Sequence, residues 1–190
     1  SPISDFNLMV VLDENNATFK NAGFRHSLCQ TNGEDLRFQS NSGTELKHEI
    51  VNWNQSGKSV VWVNLPSLAR NDTITMRWGN SAAAAPAYRT DGSAWNSYLG
   101  VYHLEQAQGA AAPDSGPYQN HAGVIGTPDR NASGFSGYGY TFGKNQTKGF
   151  VNENISGTAS MSDFSVATWL DGVNSAQHWQ GYLGVGTAAG

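Results

Sequence analysis

The sequence predicts an all-β protein built from antiparallel sheets, and two observations carry that expectation. Apolar and polar residues alternate through Gly33-Glu34-Asp35-Leu36-Arg37-Phe38, Val60-Val61-Trp62-Val63-Asn64-Leu65-Pro66 and Ile74-Thr75-Met76-Arg77-Trp78-Gly79-Asn80, each run closed by a Gly, Pro or Asn break. Successive side chains of a strand leave on opposite faces, so a period of two is what a half-buried sheet requires. The runs are also separated by turn formers at spacings of about ten residues, the rhythm of an antiparallel sandwich.

Taken in order, Phe6 to Leu12 reads as the first strand, followed by a loop through Asp13 to Asn16 and a mixed segment around Phe19 to Cys29. The strand at Leu36 to Phe38 runs into Ser40-Asn41-Ser42-Gly43, residues that accept positive φ and bond to their own backbone. Glu45 to Trp53 follows, with Leu46, His48 and Ile50 on one face. Gln55-Ser56-Gly57-Lys58 reads as a hairpin turn into Val60 to Leu65. Asn71-Asp72 then turns the chain into a strand that places Ile74, Met76 and Trp78 on one face.

The character changes after residue 82. Ala82 to Ala85 precede Pro86, and a residue before proline is pushed toward extended geometry, so a linker is expected over 83–97 between units at 1–82 and 98–190. In the second unit Tyr98 to Leu104 reads as a strand and Gln108 to His121 as a long loop. Short strands are expected at Tyr138 to Phe142, Gly149 to Asn152, Phe164 to Leu170 and from Tyr182. This unit is short for a closed sandwich and is expected to be incomplete at its C-terminus; Ser1-Pro2-Ile3 reads as the interior of a longer protein.

Composition narrows the class. Among 190 residues, 14% are charged, while Gly reaches 22 and Trp six, which fits a loop-rich extracellular β protein better than a disordered chain. Residues 1–90 carry eight Lys/Arg against eight Asp/Glu and residues 91–190 three against seven, for a net charge of −4. That balance offers no basic footprint for phosphate backbones, so nucleic acid is not an expected partner. No stretch approaches the roughly 18 uninterrupted apolar residues of a membrane span. Cys29 is the single cysteine, so neither an internal disulfide nor a cysteine-based zinc site can form, and a small, partly buried side chain is its expected role. Asn-x-Ser/Thr sequons stand at Asn16, Asn54, Asn71, Asn131, Asn145 and Asn154.

Three pieces of the first unit, Gly33 to Phe38, Val61 to Pro66 and Trp78-Gly79-Asn80, resemble an uncharacterised bacterial envelope domain, a domain of unknown function seen in MotA/TolQ/ExbB-type proteins. Three of the second, Val101 to Leu104, Asp114 to His121 and Phe164 to Trp169, resemble a laminin-G-like, concanavalin A-like jelly roll. The resemblance implies a β-sandwich followed by a partial jelly roll, in a protein secreted, held on the cell surface or located in the periplasm. Folds of the second kind serve ligand binding and spacing alike, so the resemblance does not choose a function.

Retaining glycoside hydrolysis needs two carboxyl groups about 5 Å apart. Glu34 and Asp35 face opposite ways on a strand, and Glu45 and Glu49, with Lys47 between them, read as a solvated edge. No nucleophile elbow, phosphate loop or His-Glu-x-x-His pair occurs, and the five His are scattered. His103 reads as a packed core residue. A catalytic site is therefore not expected. Calcium is the one cofactor the pattern admits: it needs hard oxygen ligands on a loop, and Asp114 and Asn120 lie in one, although both types also form turns. Glycans stack on flat aromatic faces beside amides and carboxylates. Trp62, Trp78 and Trp169 sit in strand patterns and are expected in the core, while Trp53, Trp95, Tyr118, His178 and Trp179 fall at turns or loops and are the candidate ligand-binding residues. The expected function is non-catalytic recognition or adhesion toward a glycan or surface protein. A structural ectodomain or spacer is the alternative, and a glycan-active enzyme ranks third.

Overall fold

The computed structural model describes residues 1–106, 111–134, 137–141, 149–151, 155 and 163–170. Among them, antiparallel strands dominate, and helix is confined to one five-residue α-helix and three short 3-10 turns. The strands are β1 (Ile3–Leu12), β2 (Arg37–Gln39), β3 (Glu45–Leu46), β4 (His48–Asn52), β5 (Ser59–Leu68), β6 (Thr75–Arg77), β7 (Gly123–Ile125), β8 (Asp129–Gly134), β9 (Gly137–Thr141) and β10 (Gly149–Val151). The helix is α1 (Ala17–Asn21), whose N-cap Asn16 accepts the Thr18 N–H at 2.9 Å.

Two three-stranded sheets, ordered β1-β5-β4 and β3-β2-β6, form the sandwich. The period of two sorts their side chains. Leu8, Val10 and Leu12 of β1, Val61, Val63 and Leu65 of β5, and Ile50 of β4 face Leu36, Phe38, Leu46 and Met76 from the other sheet. Phe24 closes one end, with Phe19 of α1 tilted against it at 5.7 Å. The expected strand from Glu45 to Trp53 divides at Lys47: Leu46 pairs with Phe38 in one sheet and His48 with Val63 in the other. Both side chains still point into the core, as the alternation requires.

The opposite face of β1-β5-β4 is also covered. Asn7, Glu49, Trp62 and Asn64 lie there, and the 3-10 turn Ser93–Trp95 packs onto them. Asn7 Nδ2 donates to the Ala94 carbonyl at 2.8 Å, and the Trp95 indole lies 5.5 Å from that of Trp62. The stretch expected as a linker is thus fastened to the first sheet. Trp62, expected in the central core, lies on this second face instead.

Two other strand expectations are corrected. Tyr98 to Leu104 forms no ladder: the Val101 N–H goes to Asp114 Oδ1 (2.7 Å) and its carbonyl accepts from Ser115 (2.9 Å), while Leu104 takes φ +56°. Those bonds consume the groups a neighbouring strand would use. Phe164 to Leu170 lies exposed outside any ladder, with Trp169 at 72% rather than in a core. Alternation marks two faces but supplies no neighbouring strand. In the other direction, β7 and β8 form where no strand was expected, pairing with β10 and β9. The strand expected from Tyr182 lies outside the described residues.

Candidate functional site

A groove of about 540 Å³ is lined by Asp35, Arg37, Arg77, Trp78, Asn80 and Ala83. Its frame comes from the two motifs at either side. Asp35, fully buried, accepts the Gln30 N–H on Oδ1 (2.8 Å) and the Gly79 and Asn80 N–H groups on Oδ2 (2.6 and 3.1 Å). The turn that carries Trp78 is therefore clamped to the strand that carries Arg37. Arg37 and Arg77 face each other in the β2–β6 ladder. The Arg37 guanidinium donates to the carbonyls of Glu34 (2.8 Å), Leu36 (2.7 Å) and Ala84 (2.6 Å), and Arg77 Nε donates to Gln39 Oε1 (2.9 Å). Trp78 is half-buried, its ring edge-on to Phe24 at 5.5 Å. One edge of that indole belongs to the core and the rest to the groove wall, a correction to its expected burial.

A smaller cavity, about 240 Å³, is lined by Glu49, Tyr88, Arg89, Trp95, Ser115 and Gln119 among others. Glu49 was read as a solvated edge, yet its side chain is only 18% exposed. Its Oε2 accepts from Trp95 Nε1 at 2.6 Å and meets His103 Nε2 at 3.0 Å. Burial alone would push this carboxyl up; the bonds from His103, Trp95 and Ser115 outweigh it and hold the group below the usual carboxylate range. Burial pushes Glu105 the other way, upward. Two carboxyls displaced in opposite directions are what acid–base pairs show, but Glu105 does not line the cavity that holds Glu49.

Of the expected ligand-binding residues, Trp53, Trp95 and Tyr118 are among those described. Trp53 packs against the core and meets His26 edge-on at 5.0 Å, and Trp95 is buried at 4%. Tyr118 is exposed at 46% on its loop. His178 and Trp179 lie outside the described residues. Asp114 and Asn120 do come together, but through the backbone. The Asp114 carboxylate accepts the N–H groups of Val101 (2.7 Å), Gly116 (2.7 Å) and Asn120 (2.8 Å), and Asn120 Nδ2 donates to the Leu99 carbonyl (2.6 Å). Both oxygens of the Asp114 carboxylate are thus turned to backbone N–H donors. Among the described residues, no group of three or more His, Cys, Asp or Glu is placed to hold a metal ion.

One buried line has the connectivity of a nucleophile–base–acid triad: Ser59 Oγ lies 3.0 Å from His26 Nε2, and His26 Nδ1 lies 2.9 Å from Glu14 Oε1. Ser59 is fully buried, and its Oγ also accepts the Asn54 N–H at 2.8 Å. No substrate carbonyl can approach it, so the line fastens the 13–16 loop and the β4–β5 turn to the core. Cys29 turns its Sγ toward the Arg25 carbonyl (3.6 Å), and burial, with Asp35 and Glu14 nearby, pushes the thiol up to about 12, which disfavours the thiolate.

What the sequence missed is the groove. Arg37 and Arg77 entered only as polar members of alternating runs and Asn80 as the close of one, because the opposition of the two arginines exists only once β2 pairs with β6.

Among the described residues, no helix is long and apolar enough to cross a membrane. Neither the curated proteins nor the solved structures yield a match to this chain. Residues 32–113 match the family described as Domain of unknown function (DUF2341), which takes in β2 to β6, the groove and the turn that carries Trp95.

Proposed function

We propose that this protein is a non-catalytic recognition module of the bacterial envelope or exterior, binding a glycan through the groove beside Trp78. The carrying observation is the groove itself, about 540 Å³, walled by a half-buried indole and fringed by guanidinium and amide groups on a clamped frame. Binding sites of this size combine an apolar face with a few fixed polar groups. The commitment of the Asp35 and Asp114 carboxylates to backbone N–H donors supports a binding rather than a hydrolytic role.

The test is a glycan array probed with the 190-residue chain and with Trp78→Phe and Trp78→Ala, each checked for folding by circular dichroism. Signal is expected for the parent, reduced for Phe and lost for Ala. An array that stays blank for the folded parent, or sugar release from the arrayed glycans, defeats the reading.

A second reading, a structural spacer or ectodomain of the MotA/TolQ/ExbB type, draws on one observation: of the expected ligand-facing aromatics, Trp95 is buried and Trp53 packs against the core. It predicts a blank array and unchanged envelope function when Trp78 is replaced by Phe.

A further inference from the structure

The groove's polar groups are unevenly committed, and the imbalance defines the charge of what it would hold. Arg37 is spent on main-chain carbonyls through both terminal nitrogens, and its Nε lies 3.6 Å from Glu45. Arg77, directly opposite, has one bond, from Nε to Gln39. Its two terminal nitrogens have no protein acceptor among the described residues, and the side chain is exposed. Like charges opposite one another in a ladder destabilise the pair, and Gln39 is neutral. The acid that lines this groove, Asp35, turns both oxygens toward the N–H groups of Gln30, Gly79 and Asn80.

Asn80 adds a second donor. Its Oδ1 accepts the Ala82 N–H at 3.1 Å, which leaves Nδ2 for a ligand. Gln39 holds the Arg77 guanidinium by its inner edge, so its terminal fork is positioned before a ligand arrives. A fork of this kind matches the paired oxygens of a carboxylate or sulfate. The adjoining Trp78 offers an aromatic face of the type on which a pyranose ring packs.

We propose that the groove selects an anionic saccharide, carboxylated or sulfated, with the anionic group on Arg77 and the ring against Trp78. This rests on the recognition reading above and adds the charge of the ligand to it.

Titration calorimetry with three defined probes separates the two claims: a galacturonic acid trisaccharide, a sulfated disaccharide and a neutral trisaccharide of glucose. The folded chain should bind at least one anionic probe about tenfold or more tighter than the neutral one. Arg77→Gln should remove that preference, and Arg77→Lys should restore part of it. Arg70→Gln, a change outside the groove, should leave it intact and so excludes diffuse attraction to any cation. Equal binding of anionic and neutral probes, or a preference that survives Arg77→Gln, overturns the charge assignment while leaving glycan recognition standing. Failure of every probe in a folded chain overturns both, and so does binding to anionic lipid vesicles with none to the saccharides.

Discussion

The Asp35 carboxylate accepts the Gly79 N–H at 2.6 Å, joining residues 44 positions apart. The same oxygen takes the Asn80 N–H, and the other takes Gln30. This relationship explains two sequence motifs at once. An Asp two residues after Gly33 supplies the acceptor, and an aromatic-Gly-Asn turn, with Gly79 at φ +88°, presents the donors. Replacing Asp35 with Asn keeps the shape but exchanges one acceptor oxygen for a donor that faces other donors. Buried N–H groups left without partners cost about 1–3 kcal/mol each, so a loss of about 3 kcal/mol is expected. Urea denaturation checks it: the midpoint should fall with an unchanged m-value.

Gly33 has a requirement of its own. Its φ is +64°, and an added Cβ would lie 2.8 Å from the Trp53 ring. Gly33→Ala combines a left-handed backbone with a clash against a ring that is itself packed on the core, and should cost about 1–3 kcal/mol. The midpoint of thermal unfolding reads this directly. A nearly neutral substitution would mean that Trp53 gives way freely.

The first eighty residues were legible because one physical rule governs them. Their strands lie in a sandwich whose inner face is marked by every second residue, from Leu8 to Leu12 and from Val61 to Leu65. The rule puts Glu49 and Trp62 on the opposite face, where Glu49 was read as a solvated edge and Trp62 was expected in the core instead. Residues 93–103 cover that face by long-range packing that leaves no local trace. Val101 to Leu104 failed for a related reason: Asp114 and Ser115 take the backbone bonds that a strand would need. The candidate site was the least legible part, because an arginine pair across a ladder is a fact of register.

The Cys29 thiol, pushed up to about 12 by burial and by the carboxylates of Asp35 and Glu14, should be inert near neutrality. Thiolate is the reactive species. A thiol-titrating reagent is expected to react with the native chain far more slowly than with the same chain in denaturant. Rapid native modification would contradict the burial described for this residue.

His48 lies fully buried between the rings of Phe38 (5.1 Å) and Tyr88 (5.2 Å). Burial, with the positive charges of Arg89 and Arg37, lowers it from 6.5 to about 4. The unfolded chain therefore binds the extra proton between those two values. Stability from this group is complete above pH 6.5 and is lost as pH falls toward 4. The loss amounts to about 3 kcal/mol at the lower end. His48→Leu should flatten that stretch of the stability–pH curve, whatever it does to the plateau.

Glu49 titrates in a lower window, which makes the two groups separable. Its carboxyl is held below the usual 4.5 by the bonds that overcome its burial, so its contribution is present above that value and disappears as pH falls through the folded one. Protonation would release His103 and Trp95 from a shared acceptor, and with them the 93–103 cover over the sheet. Glu49→Gln should remove this acid limb while leaving the His48 limb between 6.5 and 4 in place. Its cost at neutral pH should be about 2–3 kcal/mol, the range for hydrogen bonds to a charged group lost inside a partly buried network. Stability measured by denaturant at pH 7, 5 and 3.5 on the parent and both variants resolves the limbs. A Glu49→Gln curve parallel to the parent throughout would show that the cover is held by the packing of Trp95 on Trp62 and not by the carboxylate.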